Sequence, residues 1–153
     1  MQSSLARPTT NLEAGKEVLR RAAALLAARQ SFVVETTLSG STYLRMAEDA
    51  KAAGFSLVVL FVGTSSIEIN LQRVRDRVRK GGHDIPEHDQ RRRFPRTFAN
   101  VKKLIPLANV AMIFDNSTSQ GHRLVAIKNG TALELFPPIP AWADFLDDVT
   151  TSL

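Results

Sequence analysis

Apolar residues near the start of the chain recur at helical period: Val18, Leu19, Ala22, Leu25 and Leu26 share one stripe. Thr10 and Glu13 have the spacing of a capping box, so residues 11 to 29 are expected to form an amphipathic helix. Phe32, Val33 and Val34 make a short apolar run that predicts a buried strand ending near Glu35. Ser41 can cap a second helix, with Leu44 and Ala47 facing inward and Gly54 as its stop. Ser56 to Val62, SLVVLFV, reads as a strand buried on both faces. Ser65 and Glu68 repeat the capping-box spacing before a third helix striped by Ile67, Leu71, Val74 and Val78, which Gly81 and Gly82 end.

Pro86 suits the first position of a short basic helix, and a separate helix is expected over Thr97 to Ile105. Val110 to Phe114 is the next apolar strand. Beyond residue 122 the pattern changes to two short runs, LVAIK and ALELF, split by the hairpin signal Asn129-Gly130. A helix from Pro140 to Val149 follows, with Trp142, Phe145 and Leu146 as its core anchors. Alternation of strand and helix through residue 114 predicts an α/β fold with a three-layer, mostly parallel sheet. The segment 122–153 adds a C-terminal hairpin and helix. A length of 153 residues fits a single domain.

Hydrophobic residues make up 44% and charged residues 23%, values of a globular chain. The absence of cysteine excludes disulfides and thiolate metal sites, and fits a reducing compartment. No apolar run approaches the ~20 residues that cross a bilayer, and the first residues lack the apolar stretch of a secretion signal. A cytoplasmic location without membrane partners is the resulting expectation. The net charge of +5 is local. Residues 73–96 hold nine bases and four acids, while the remainder balances 11 bases against 11 acids. Such an imbalance points to a localised anionic partner.

Ligands of open parallel sheets bind beyond the carboxyl ends of the strands. The polar residues expected there are Glu35, Thr36 and Thr37 after the first strand, Thr64, Ser65 and Ser66 after the second, and Asp115, Asn116 and Ser117 after the third. Ser65 is read first as a cap, and Asp115 and Asn116 as turn residues. Glu35 stands out, because an acid directly after a buried apolar run is costly without a partner. In the basic segment, Arg75 and Arg79 lie four apart on one helix, and Arg91, Arg92 and Arg93 follow a glycine-containing break. Two arginine groups flanking a hinge suit a lid that closes on phosphates. The plainer alternative is a solvated face with pairs such as Glu87–Arg91 and Asp89–Arg93.

Nucleic acid is an unlikely partner, since the stripe lacks interleaved aromatics beyond Phe94 and carries no recognised motif. His83, His88 and His122 lack metal-ligand spacing, so no metal site is expected of them. The phosphate-cradling pattern G-x-x-x-x-G-K-[ST] does not occur. Gly15-Lys16 has threonine at position 10 and glutamate at position 17, and reads as part of the first helix.

In series, A-G-K-E-V-L, F-V-V-E-T-T-L-S-G, the stretch Ser41 to Arg45, R-V-R-K-G-G-H-D-I-P, R-R-R-F-P-R-T-F-A-N and F-D-N-S resemble the zeta toxin family of P-loop kinases, from about Ala14 to Asn116. The resemblance implies a P-loop kinase fold and transfer of phosphate from ATP, with Mg2+, to a sugar hydroxyl of UDP-N-acetylglucosamine. It also implies an antitoxin as a protein partner. By motif, Glu35, Thr36 and Thr37 resemble the acceptor-sugar contacts. Arg79 and Arg92 resemble the two lid arginines within residues 73–96, with Arg75 and Arg91 as alternative assignments. The family's phosphate loop and catalytic aspartate lie upstream of these motifs and have no counterpart here. The expectation is therefore a domain truncated at its amino end, lacking the first strand and inactive alone. The alternatives are a non-catalytic module that binds a nucleotide sugar or an antitoxin, and a basic phosphate or nucleic-acid binder.

Overall fold

A computed structural model describes residues 11–151. The chain divides into two compact units, the first ending at Glu35 and the second beginning at Thr36. In the first, helix α1 spans Asn11–Ala27. Its proposed cap, Thr10, lies outside the described residues. Glu17 binds both Arg20 and Arg21, and the Arg20 guanidinium, with Arg21, holds its carboxyl down at about 2. Arg29 turns into the left-handed region (φ 54°), and the Gln30 amide closes back on the Leu25 carbonyl to stop the helix. Gly15 and Lys16 lie inside α1, as expected.

The strand predicted over Phe32 to Val34 does not form, and Val33 is 96% exposed. Apolar side chains favour a strand only where neighbouring strands take up its amides and carbonyls. This run has no such neighbour among the described residues.

The second unit opens with α2, Thr42–Ala52. Ser41 occupies the N-cap, but its side chain makes no capping bond. Gly54 (φ 82°) and the Phe55 amide, bonded to the Ala50 carbonyl, end the helix. Strand β1 is Val58–Gly63, α3 is Ile67–Arg79, α4 is Glu87–Leu107, and β2 is Val110–Asp115. Strands β3 (Arg123–Asn129) and β4 (Ala132–Leu135) follow, then a 3-10 turn at Ala141–Ala143 and helix α5, Phe145–Thr151. The single C-terminal helix expected from Pro140 is thus a turn plus a shorter helix.

The two helices expected after Pro86 are one continuous α4, with Pro86 as its N-cap and Pro95 inside it. Proline in a helix interior removes one amide and disfavours the preceding turn. Packing overrides that cost. Val101 and Ile105 are fully buried, and Phe94 and Phe98 meet edge to face at 5.0 Å.

The sheet runs β1-β2-β3-β4 and is mostly antiparallel, which corrects the expected parallel architecture. Among the described residues only β1 and β2 pair parallel, joined by the crossover through α3 and α4. The predicted partner at residues 32–34 supplies no strand, and the C-terminal hairpin pairs directly with β2. The turn of that hairpin is Gly130-Thr131, one residue later than expected. Gly130 has φ 58°, matching the preference for glycine at the first central position of a type II′ turn.

One sheet face is packed: Val59, Phe61, Ala111, Ile113, Val125 and Ala126 meet Val101 and Ile105 of α4 and Phe145, Leu146 and Val149 of α5. The opposite face leaves Val58, Leu60 and Val62 exposed, Leu60 by 66%. Strand β1, the end strand of the sheet among the described residues, is thus buried on one face and not on both as the run SLVVLFV suggests. Buried Lys128 donates to the Ala108 carbonyl at 2.5 Å, at the C-terminal end of α4 where a cation is favoured. Burial pushes its pKa down, and Lys51 adds to the shift.

Candidate functional site

The loop after Glu35 is shaped by its own side chains and then fastened to α4. The Thr36 hydroxyl accepts the Leu38 amide at 3.0 Å, a local turn that competes with continued extension. Leu38 takes φ 52°, a conformation uncommon for a residue with a side chain, while that side chain is buried in the core. Helix α4 offsets this strain. The Thr97 hydroxyl donates to the Thr37 carbonyl at 2.7 Å, and the Asn100 amide donates to the carbonyls of Leu38 (2.8 Å) and Gly40 (3.3 Å). The motifs E-T-T-L-S-G and R-T-F-A-N, about 60 residues apart in sequence, thus interlock. Thr36 and Thr37 are exposed at the outside of this loop, and Glu35 is exposed directly before it in sequence. Sequence reasoning assigned no role to Thr97 or Asn100, although their motif was in view.

The arginine segment folds into a helical hairpin, α3 and α4. Gly81 (φ 84°) begins the turn, and Gly82 has no room for a side chain, whose Cβ would meet the Arg77 Cγ at 2.5 Å. The Gly82 amide bonds the Arg77 carbonyl, and the Arg77 guanidinium holds the His83 carbonyl at 2.9 Å. This turn brings Arg75 of α3 and Arg91 of α4 onto a single carboxylate. Arg75 donates to Glu87 Oε2 at 3.1 Å, and Arg91 donates to Glu87 Oε1 at 2.9 Å. Arg91 also reaches Glu68 Oε1 at 3.2 Å. Of the two arginine groups, Arg75 and Arg91 therefore meet, at Glu87.

Arg79 and Arg92 are exposed, each paired with an acid one turn back on its own helix, Asp76 and Asp89. Arg93 lies 3.9 Å from Asp89. Hydrogen bonds from Arg91 hold the Glu87 carboxyl below its ordinary range, with Arg75 adding to the effect. Glu68 is lowered first by its own backbone amide and then by Arg91. At an axial rise of about 1.5 Å per residue, Arg91 and Thr97 stand roughly 9 Å apart along α4. One helix thus carries part of the arginine group and the support of the Thr36–Leu38 loop.

At the carboxyl ends of β1 and β2 the expected polar residues do converge. The Ser65 amide donates to Ser117 Oγ at 2.8 Å, and Arg73 donates to the Asn116 carbonyl at 2.8 Å. The Asn116 side chain lies 3.2 Å from His122 Nε2. Asp115 accepts from the Ser117 hydroxyl and from Trp142 Nε1, the latter at 3.1 Å. Asp115 therefore anchors the C-terminal segment through Trp142, and Ser117 ties Asp115 to the Ser65 amide. Ser65 is not a cap: Ser66 holds the N-cap of α3, without a side-chain capping bond. Among the described residues, no group of three or more His, Asp or Glu side chains is placed to hold a metal. No helix among them is long and apolar enough to cross a membrane.

A crossover-linked parallel pair with a polar carboxyl edge thus stands beside a helical hairpin dense in arginine. The sequence profile of the zeta toxins matches residues 5–123, and the chain belongs to that family of kinase-like toxin domains. An uncharacterized protein of Haemophilus influenzae is 41% identical over 56 residues, which are 37% of this chain. Those residues span 40% of the length of that relative. No solved structure matches the chain.

Proposed function

We propose that this domain supplies the acceptor and lid side of phosphoryl transfer from ATP to UDP-N-acetylglucosamine, with an antitoxin as its protein partner. The observation that carries this reading is the meeting of Arg75 and Arg91 at one carboxylate, on the helix that also fastens the Thr36–Leu38 loop. In this reading Glu35, Thr36 and Thr37 hydrogen-bond the hydroxyls of the sugar. Arg79 and Arg92, with Arg75 and Arg91 beside them, offset phosphate charge, since phosphoryl transfer is governed by positioning and electrostatics. Guanidinium forks suit that task because they engage two phosphate oxygens at once.

The described residues do not fit a complete ATP and Mg2+ site. Gly15-Lys16 lies within α1, where its amides belong to the helix instead of converging on a phosphate. The domain alone is therefore assigned a binding role and no turnover.

Purified protein with Mg2+, ATP and UDP-N-acetylglucosamine is expected to yield no phosphorylated sugar nucleotide above the protein-free background. Calorimetry with UDP-N-acetylglucosamine alone is expected to show saturable heat that Glu35→Gln weakens. Transfer above background would refute the inactivity, and the absence of binding heat would refute the acceptor role.

A further inference from the structure

We infer that Glu87, backed by Glu68, is a built-in competitor that fills the Arg75–Arg91 seat until a multiply charged phosphate chain displaces it. The inference rests on the proposed phosphate-gripping role of these arginines and adds what occupies them beforehand. Glu87 uses its two oxygens on different helices, Oε2 toward Arg75 of α3 and Oε1 toward Arg91 of α4. A single carboxylate spanning two guanidinium groups stands where two oxygens of a phosphate would bind. Glu68, in the first turn of α3, takes the remaining Arg91 nitrogen at 3.2 Å. The seat is thus satisfied from within by two carboxylates.

These contacts are suited to displacement more than to holding the fold. All four side chains are about half exposed or more, and exposed pairs of this kind contribute little to stability. A tethered carboxylate nevertheless competes at a high effective concentration, so a free monoanion gains nothing by replacing it. A polyphosphate brings several charges and more oxygens, and can exchange Glu87 and Glu68 together. Selection for polyphosphate over simple anions follows from that exchange. The turn at Gly81 and Gly82 lets α3 and α4 present both guanidinium groups to the incoming group.

Inorganic tripolyphosphate is the probe, titrated calorimetrically at low salt into the full chain, with circular dichroism verifying the fold of each variant. Glu87→Gln is expected to tighten binding about three- to tenfold, the effect of removing two exposed pairs. Glu48→Gln makes the same charge change at an exposed residue of α2 and is expected to shift affinity less than about twofold, as a long-range charge effect. Arg75→Ala with Arg91→Ala is expected to weaken binding at least about tenfold, as loss of two guanidinium contacts. If Glu87→Gln binds no tighter than Glu48→Gln while the double arginine variant still weakens, the competitor role is wrong and the arginine seat stands. If the double variant also binds normally, the seat and the functional reading fall together.

Discussion

Ile105→Ala is expected to lower the free energy of unfolding by roughly 2–5 kcal/mol, the usual cost of a large cavity in a packed interior. Ile105 is fully buried, and it lies one turn beyond Val101 on the face of α4 that meets β2, β3 and α5. The helix it anchors supplies Arg91 and Arg92, and through Thr97 and Asn100 it also fixes the Thr36–Leu38 loop. Loss of that packing should loosen both halves of the candidate site. Each kcal/mol corresponds to a fall in melting midpoint of roughly 2–4 °C for a chain of this size. Urea unfolding followed by circular dichroism measures it directly. A loss below about 1 kcal/mol would mean that α4 is not seated on the sheet as described.

Gly63→Ala is expected to be nearly as disruptive, although it adds one methyl group. A Cβ at this position would lie 2.6 Å from Cη2 of Trp142, with Cζ3 and Cζ2 at 2.7 and 2.8 Å. The indole is a rigid plane, so it must move as a whole. In moving it would lose its bond to Asp115 and its contacts with Phe61 (5.9 Å) and Phe98 (5.6 Å). Overpacking of this kind costs roughly 1–3 kcal/mol. Tryptophan fluorescence reports the change without ambiguity, since Trp142 is the single tryptophan of the chain. A Gly63→Ala protein with unchanged emission and midpoint would show that the indole does not occupy the space beside β1.

What the sequence makes legible follows a simple physical division. Helical stripes are local, and α1, α2 and α3 appear within a few residues of where Val18, Leu44 and Leu71 predict them. Partnership between strands is not local. Phe32 to Val34 has the side chains of a strand and no partner strand among the described residues, while β1 has apolar residues on both faces and packs only one. The same limit lies behind the expectation of a parallel sheet, because alternation of elements does not reveal that Arg123–Asn129 pairs antiparallel with β2. Proline misled in the same way: at Pro95 the burial of Val101 and Ile105 outweighs a local preference.

In the candidate site, the two arginine groups and the threonine loop were visible as motifs, since residue type and spacing carry charge and hydrogen-bonding capacity. Their supports were not. Nothing in the pattern around Asn100 announces that its amide holds a carbonyl 62 residues earlier. Glu87 illustrates a further point. Its pairing with Arg91 was expected as an intrahelical contact, but its second oxygen reaches Arg75 on another helix, and only the folded chain reveals that bridge.

Chemical-shift mapping of the isotopically labelled chain during titration with UDP-N-acetylglucosamine addresses the acceptor-and-lid assignment most directly. The account predicts saturable shifts at the amides of Thr36 and Thr37 together with the guanidinium signals of Arg75 and Arg91. Saturable shifts confined to β3, β4 and α5, with those four residues unmoved, would contradict it.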